Sequence, residues 1–73
     1  MDKLLEILED VRPDLEFAQE TQLVDGGIID SFDIFSIYER INDAFGISID
    51  VEDIVPENFN SVEAMMKLVE RYL

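Results

Sequence analysis

Apolar residues recur at helical spacing in three stretches of the chain. In the first stretch these positions are Leu4, Leu5, Ile7, Leu8 and Val11. Pro13 ends the run, because the residue before a proline disfavours the helical conformation. The pattern predicts a first helix of about three turns.

The second stretch has the cleanest apolar stripe. It comprises Ile34, Ile37, Ile41 and Phe45, widened by Phe35, Tyr38 and Ala44. Asp30 is a good N-cap residue, and the negative charge of Asp33 in the first turn interacts favourably with the positive end of the helix dipole. Gly46 can end the helix by adopting a left-handed conformation. These signals predict a helix from about Ser31 to Phe45.

The third stretch lies at the C-terminal end of the chain. Its apolar positions are Val62, Met65, Met66, Leu68, Val69, Tyr72 and Leu73. We expect Asn60 to begin this helix, with Glu63 completing a variant of the capping box. One further helical turn is predicted over residues 50–55, immediately before Pro56. Ile47 and Ile49 predict an extended connector with buried side chains.

A long connection joins the first two helices. It carries scattered apolar residues, which we expect to cover the core: Leu15, Phe17, Leu23, Ile28 and Ile29. The elements together predict an all-α fold, a small four-helix bundle of three principal helices and one short helix with a long first loop. We expect residues 1–73 to form a single domain with a small core.

The charge and the cysteine count exclude several classes of function. Five basic and 18 acidic residues give a formal net charge of −13, and there is no cysteine. Such a surface repels nucleic-acid phosphates and anionic membranes, and it attracts partners with basic patches. No apolar run approaches the roughly 20 residues of a membrane span, and no signal peptide is visible. We therefore expect a cytoplasmic monomer that binds no nucleic acid and does not insert into membranes.

The candidate functional residue is Ser31. It lies in the stretch Asp30-Ser31-Phe32-Asp33, shortly after two glycines. A catalytic serine needs a general base, usually histidine, and the chain has none. The flanking residues also fail the nucleophile-elbow pattern. Taken by position alone, this serine is an ordinary helix-start residue. We expect no enzymatic activity, but a hydroxyl displayed there is well placed for modification by another enzyme.

Two other candidate sites fail on spacing. Gly26-Gly27 has no following lysine, so it does not match a phosphate-binding loop. The acids Asp50, Glu52, Asp53 and Glu57 invite comparison with a calcium loop. Counting from Asp50, however, puts Ile54, Val55 and Ser61 where an oxygen ligand, glycine and glutamate are required. We predict no metal site.

The order of these features resembles the acyl and peptidyl carrier proteins over nearly the whole chain. The resemblance depends on Asp30-Ser31-Phe32 at the start of the second helix and on Phe45-Gly46-Ile47 at its end. It implies 4′-phosphopantetheine attached covalently to Ser31, transferred from coenzyme A by a phosphopantetheinyl transferase. Asp30 would help to position the serine and the transferase's magnesium. An acyl or aminoacyl group would then travel as a thioester, at high effective concentration near each partner.

The resemblance also implies partners that dock near the serine. These would be an acyl- or aminoacyl-loading ligase and downstream acyl-transfer enzymes with basic patches. The implied contacts are an exposed Phe32 and the acids Asp33, Glu39 and Asp43, whereas Arg40 departs from the family's acidic pattern.

The cargo is left open by the sequence. The stretch Ile28-Ile29-Asp30-Ser31-Phe32 is similar to D-alanyl carrier proteins of teichoic acid synthesis, although Asp33 stands where glycine is common. Residues 55–59 are similar to stand-alone aminoacyl carriers. A D-alanyl or peptidyl carrier is therefore one alternative, and an acidic interaction module without a cofactor is another.

Overall fold

Four α-helices make up the fold in the computed structural model, which describes residues 2–73 and the side chains of residues 3–73. They are α1 (Asp2–Val11), α2 (Ser31–Phe45), α3 (Pro56–Phe59) and α4 (Val62–Tyr72). Short 3-10 turns lie at Phe17–Gln19 and Val51–Asp53, and no strand occurs within the described range. The predicted all-α bundle of three principal helices and one short helix is confirmed.

The long helices each bury one face in a common core. The buried helical residues include Leu4, Leu8, Ile37, Ile41, Met65, Leu68 and Val69. The first loop adds Phe17, Leu23 and Ile29, so the prediction that it covers the core is confirmed. Of the two connector residues predicted to be buried, Ile49 is buried and Ile47 is half-buried. Among the described helices, none has the length and apolar character that a membrane span requires.

The single helical turn predicted before Pro56 is present, but the short helix α3 that follows it was not predicted. Only a 3-10 turn, Val51–Asp53, forms in the segment before Pro56. The helix α3 begins at Pro56 itself, because the fixed φ of proline and its missing N–H suit the first helical position.

The start of the last helix was also predicted wrongly. Ser61 is the N-cap of α4, and its hydroxyl accepts a hydrogen bond from the Ala64 backbone N–H at 3.0 Å. Asn60 instead binds the first loop.

Two residues assigned to apolar faces are exposed. Leu73 follows the last residue of α4 and is 73% exposed. Phe35 is 54% exposed, because it lies to one side of the buried Ile37 and Ile41 line, where its ring meets Tyr38 edge-on.

Candidate attachment site

A reciprocal pair of hydrogen bonds fixes the start of α2. Asp30 is the N-cap, and its Oδ1 accepts a hydrogen bond from the Asp33 N–H at 3.0 Å. Asp33 Oδ2 in turn accepts from the Asp30 N–H at 3.3 Å. This capping box satisfies two backbone donors and makes Ser31 the first residue of the helix. The predicted bounds of α2, its N-cap and its glycine C-cap are all confirmed.

The turn before the site is closed on itself by backbone hydrogen bonds. The Leu23 carbonyl accepts from both Ile28 N–H and Ile29 N–H at 3.0 Å. Gly27 has a φ of 71°, a left-handed conformation that costs other L-residues roughly 1–2 kcal/mol. The turn places the Ile29 side chain in the core and leaves Asp30 and Ser31 at the surface.

Asn60, from the junction of α3 and α4, holds this turn in place. Its Oδ1 accepts from the N–H groups of Val24 and Asp25, both at 3.0 Å. Its Nδ2 donates to Asp25 Oδ2 at 2.9 Å, and its carbonyl accepts from Leu23 N–H at 2.9 Å. Sequence reasoning missed this role because an asparagine before a helix also fits a cap.

Arg12 connects the end of α1 to the start of α2. Its Nη1 donates to Asp33 Oδ2 at 2.7 Å and to the Ile28 carbonyl at 3.4 Å. Its Nε and Nη2 donate to the two carboxylate oxygens of Asp14 at 3.1 and 3.0 Å. The hydrogen bonds that it donates to Asp14 and then to Asp33 raise the pKa of the Arg12 guanidinium. No local pattern of residues signals this contact between distant positions.

Ser31 is exposed, and within residues 2–73 no hydrogen bond engages its Oγ. The backbone N–H groups of Ser31 and Phe32 likewise lack protein acceptors in the described part of the chain. Free N–H groups and the helix dipole at such a position favour an anion. The arrangement therefore fits a phosphoester on the serine oxygen, and an enzyme can reach the hydroxyl from solvent.

The other predicted site residues lie along the same helix. Phe32, next to the serine, is 84% exposed. Glu39 and Asp43 are also exposed. From the helical rise of 1.5 Å per residue, they lie about 12 and 18 Å from Ser31 along the helix axis. The Asp33 side chain is only 16% exposed because it faces Arg12.

The acidic segment after α2 has structural partners. Asp50 caps the 3-10 turn by accepting from the Glu52 N–H at 2.9 Å, and Asp53 accepts a hydrogen bond from the Tyr72 hydroxyl. In the described part of the chain, no three or more acidic, histidine or cysteine side chains are grouped so as to hold a metal ion.

A small helical bundle that displays an unengaged serine at the capped start of its second helix has the architecture of a carrier protein. A family model described as "Phosphopantetheine attachment site" matches residues 2–69, and the chain belongs to this family. Neither the curated proteins nor the solved structures gave a match to the chain.

Family membership confirms the predicted cofactor. Members carry 4′-phosphopantetheine covalently on a serine, and their carrier domains are typically non-catalytic. Such domains generally interact with a phosphopantetheinyl transferase and with acyl-handling enzymes. The chain is therefore a phosphopantetheine carrier in the general sense.

Proposed function

We propose that Ser31 carries the 4′-phosphopantetheine and that the chain delivers an activated acyl or aminoacyl group to partner enzymes. The observation that carries this proposal is the exposed, unengaged Ser31 hydroxyl at the start of α2, inside the matched region. The chain has no cysteine, so a thiol must come from a bound group.

Different residues at the start of α2 would contact different parts of the phosphopantetheine. Ser31 supplies the ester oxygen, while the free N–H groups of the first turn of α2 favour the phosphate charge. Asp30 orients the serine through the capping box and faces solvent, where it can approach the transferase's magnesium. When bound, the group supplies a thiol that holds a carboxylic acid as a thioester.

We propose that partners dock on α2 around the serine. Phe32 offers an exposed aromatic side chain beside the reacting oxygen, and Glu39 and Asp43 offer exposed charge for a basic patch. Asp33 contributes mainly by shaping the helix start, since its carboxylate is bound to Arg12.

We propose a short acyl or aminoacyl cargo, with D-alanine as one candidate. The bundle interior is filled by large buried side chains, including Phe17 and Phe59. The groove between α1 and α2, of about 540 Å³, is lined mainly by charged side chains: Lys3, Glu6, Glu9, Asp10 and Arg40. Such a lining does not suit a long hydrocarbon chain, because burying apolar surface needs an apolar wall.

We also propose that residues 1–73 act as one carrier domain, as a monomer in the cytoplasm. The net charge of −13 supports the monomer, because two copies repel each other.

The test is labelling with a fluorescent coenzyme A analogue and a broad-specificity phosphopantetheinyl transferase. Wild type and Ser31→Ala are compared with Ser36→Ala and Ser48→Ala, which change two other exposed serines. We expect label on every chain except Ser31→Ala. Label on Ser31→Ala would contradict the proposal. An unlabelled wild type beside a labelled control carrier would favour the alternative of a cofactor-free interaction module.

A further inference from the structure

One guanidinium reaches three segments that meet at the start of α2. Arg12 lies just after α1, and it contacts Asp33 of the capping box, the carbonyl of Ile28 in the preceding turn, and Asp14. The oxygen that it binds, Asp33 Oδ2, is the same atom that accepts the Asp30 N–H. Arg12 therefore holds the capping box from outside the helix.

The Arg12–Asp33 contact also changes the net charge beside Ser31. Asp30 and Asp33 lie on either side of Ser31 and Phe32, and both carboxylates repel a phosphate that approaches the hydroxyl. The Asp33 side chain is 16% exposed, so Arg12 compensates a charge that water reaches only partly.

We propose that Arg12 is a positioning residue for modification of Ser31. It fixes the capping box, and thereby the backbone from which the Ser31 hydroxyl projects, and it offsets the Asp33 charge beside the incoming phosphate. This inference rests on the proposed attachment at Ser31.

The step that it supports is a phosphoryl transfer. The Ser31 Oγ forms a bond to the phosphorus of the pantetheine phosphate of coenzyme A, and the phosphoanhydride bond breaks. Adenosine 3′,5′-bisphosphate leaves, and the hydroxyl proton passes to a base of the transferase. A fixed backbone at Ser31 matters because small misplacements of reacting groups lower the rate steeply.

The structure provides two matched controls. The Arg40–Asp10 pair also joins α2 to α1, but its side chains are 47% and 65% exposed and it does not touch the capping box. Asp14 binds the same guanidinium as Asp33, yet its side chain is 61% exposed and it does not contact α2 in the described structure. Arg40→Gln therefore removes a comparable positive charge away from the helix start, and Asp14→Asn removes a negative charge from the guanidinium while Arg12 and Asp33 are both kept.

The experiment measures kcat and KM of the transferase for wild type, Arg12→Gln, Arg12→Lys, Arg40→Gln and Asp14→Asn. Circular dichroism sets a temperature at which each variant is folded. We expect Arg12→Gln to lower kcat about ten- to a hundredfold with little change in KM, since the docking face is intact. Arg12→Lys should recover part of kcat, and the two controls should match wild type.

Hydrogen exchange provides a second readout on the unmodified chain. The Asp33 amide, which donates to Asp30 Oδ1, should exchange faster in Arg12→Gln than in Arg40→Gln. If Arg12→Gln does not fold, Arg12→Lys replaces it, because a single ammonium cannot reproduce the guanidinium's separate contacts with Asp33 and the Ile28 carbonyl, and kcat should still fall, by a smaller factor.

The outcomes separate the two proposals. A kcat equal to wild type in the folded Arg12→Gln, or in Arg12→Lys if that variant replaces it, overturns the positioning role while attachment at Ser31 stands. A wild-type chain that accepts no group overturns both.

Discussion

The side chain of Asn60 is hydrogen-bonded to both the backbone and the carboxylate of Asp25, 35 residues earlier in the chain. The Asp25 N–H donates to Asn60 Oδ1 at 3.0 Å, and Asn60 Nδ2 donates to Asp25 Oδ2 at 2.9 Å. This contact connects the junction of α3 and α4 to the turn that precedes Ser31.

Asn60→Ala should destabilise the protein by about 1–3 kcal/mol, because it removes the three hydrogen bonds of the Asn60 side chain. Asn58→Ala is the matched control, since Asn58 makes one side-chain hydrogen bond, to the Asp53 carbonyl at 2.8 Å. That control should cost about 0.5–1.5 kcal/mol. Urea unfolding measures the free energy of unfolding of both variants. Equal losses would show that the contacts of Asn60 with the turn contribute no more than a single hydrogen bond.

Gly27 and Gly46 provide a test of the turn before the serine. Their φ angles are 71° and 66°, and an added Cβ would meet nothing within 4 Å at either position. Replacement by alanine should therefore cost about 1–2 kcal/mol at each, from the left-handed backbone alone. Only Gly27→Ala should slow modification of Ser31, because Gly46 lies at the far end of α2.

Thermal unfolding and transferase kinetics on the two glycine variants measure these effects side by side. Equal modification rates at matched stability would show that the turn does not set the position of Ser31.

Phe32→Ala should leave stability within about 0.5 kcal/mol of wild type, because the ring is 84% exposed. It should raise the KM of the transferase severalfold if the ring is a docking contact. Val51→Ala is the control, since Val51 is 65% exposed and lies outside α2. Identical KM values for both variants and wild type would remove Phe32 from the docking surface.

We expect the hydrogen bond between Tyr72 and Asp53 to make the stability of the fold change at alkaline pH. Its hydroxyl donates to Asp53, and this hydrogen bond is the main cause that raises the pKa of Tyr72 above the ordinary value of 10.0. The unfolded chain loses this proton first, so the stabilisation is complete below pH 10 and is lost as the pH rises through the folded pKa.

Titration of tyrosinate absorbance in Tyr38→Phe, which leaves Tyr72 as the single tyrosine, measures this pKa directly. Adding Asp53→Asn should lower the value toward 10.0. An unchanged titration would show that the hydrogen bond does not control Tyr72.

Local sequence signals predicted the parts of the fold that depend on neighbours along the chain. The Ile37 and Ile41 stripe, the Asp30 cap and the Gly46 stop predicted α2 with its observed bounds, because each signal acts within a few residues. Ser31 stood out for the same reason, since its setting is a motif of adjacent residues.

The missed features depend on contacts between distant segments. Asn60 fits a helix cap by local rules, and only the folded chain shows that the first loop takes its hydrogen bonds. Arg12 carries no local pattern at all, since its partner Asp33 lies 21 residues away. The helix that begins at Pro56 was missed for a local reason, because the proline was interpreted only as the end of the preceding turn, although it also suits the first position of a helix.

Intact-mass and fragment-mass spectrometry of the protein purified from its own cells tests the central claim most directly. We expect a chain heavier by one phosphopantetheine, with or without a short acyl or aminoacyl group, and fragments that place the added mass on Ser31. A chain that is unmodified in every growth condition, or that bears the group on another residue, would contradict the account.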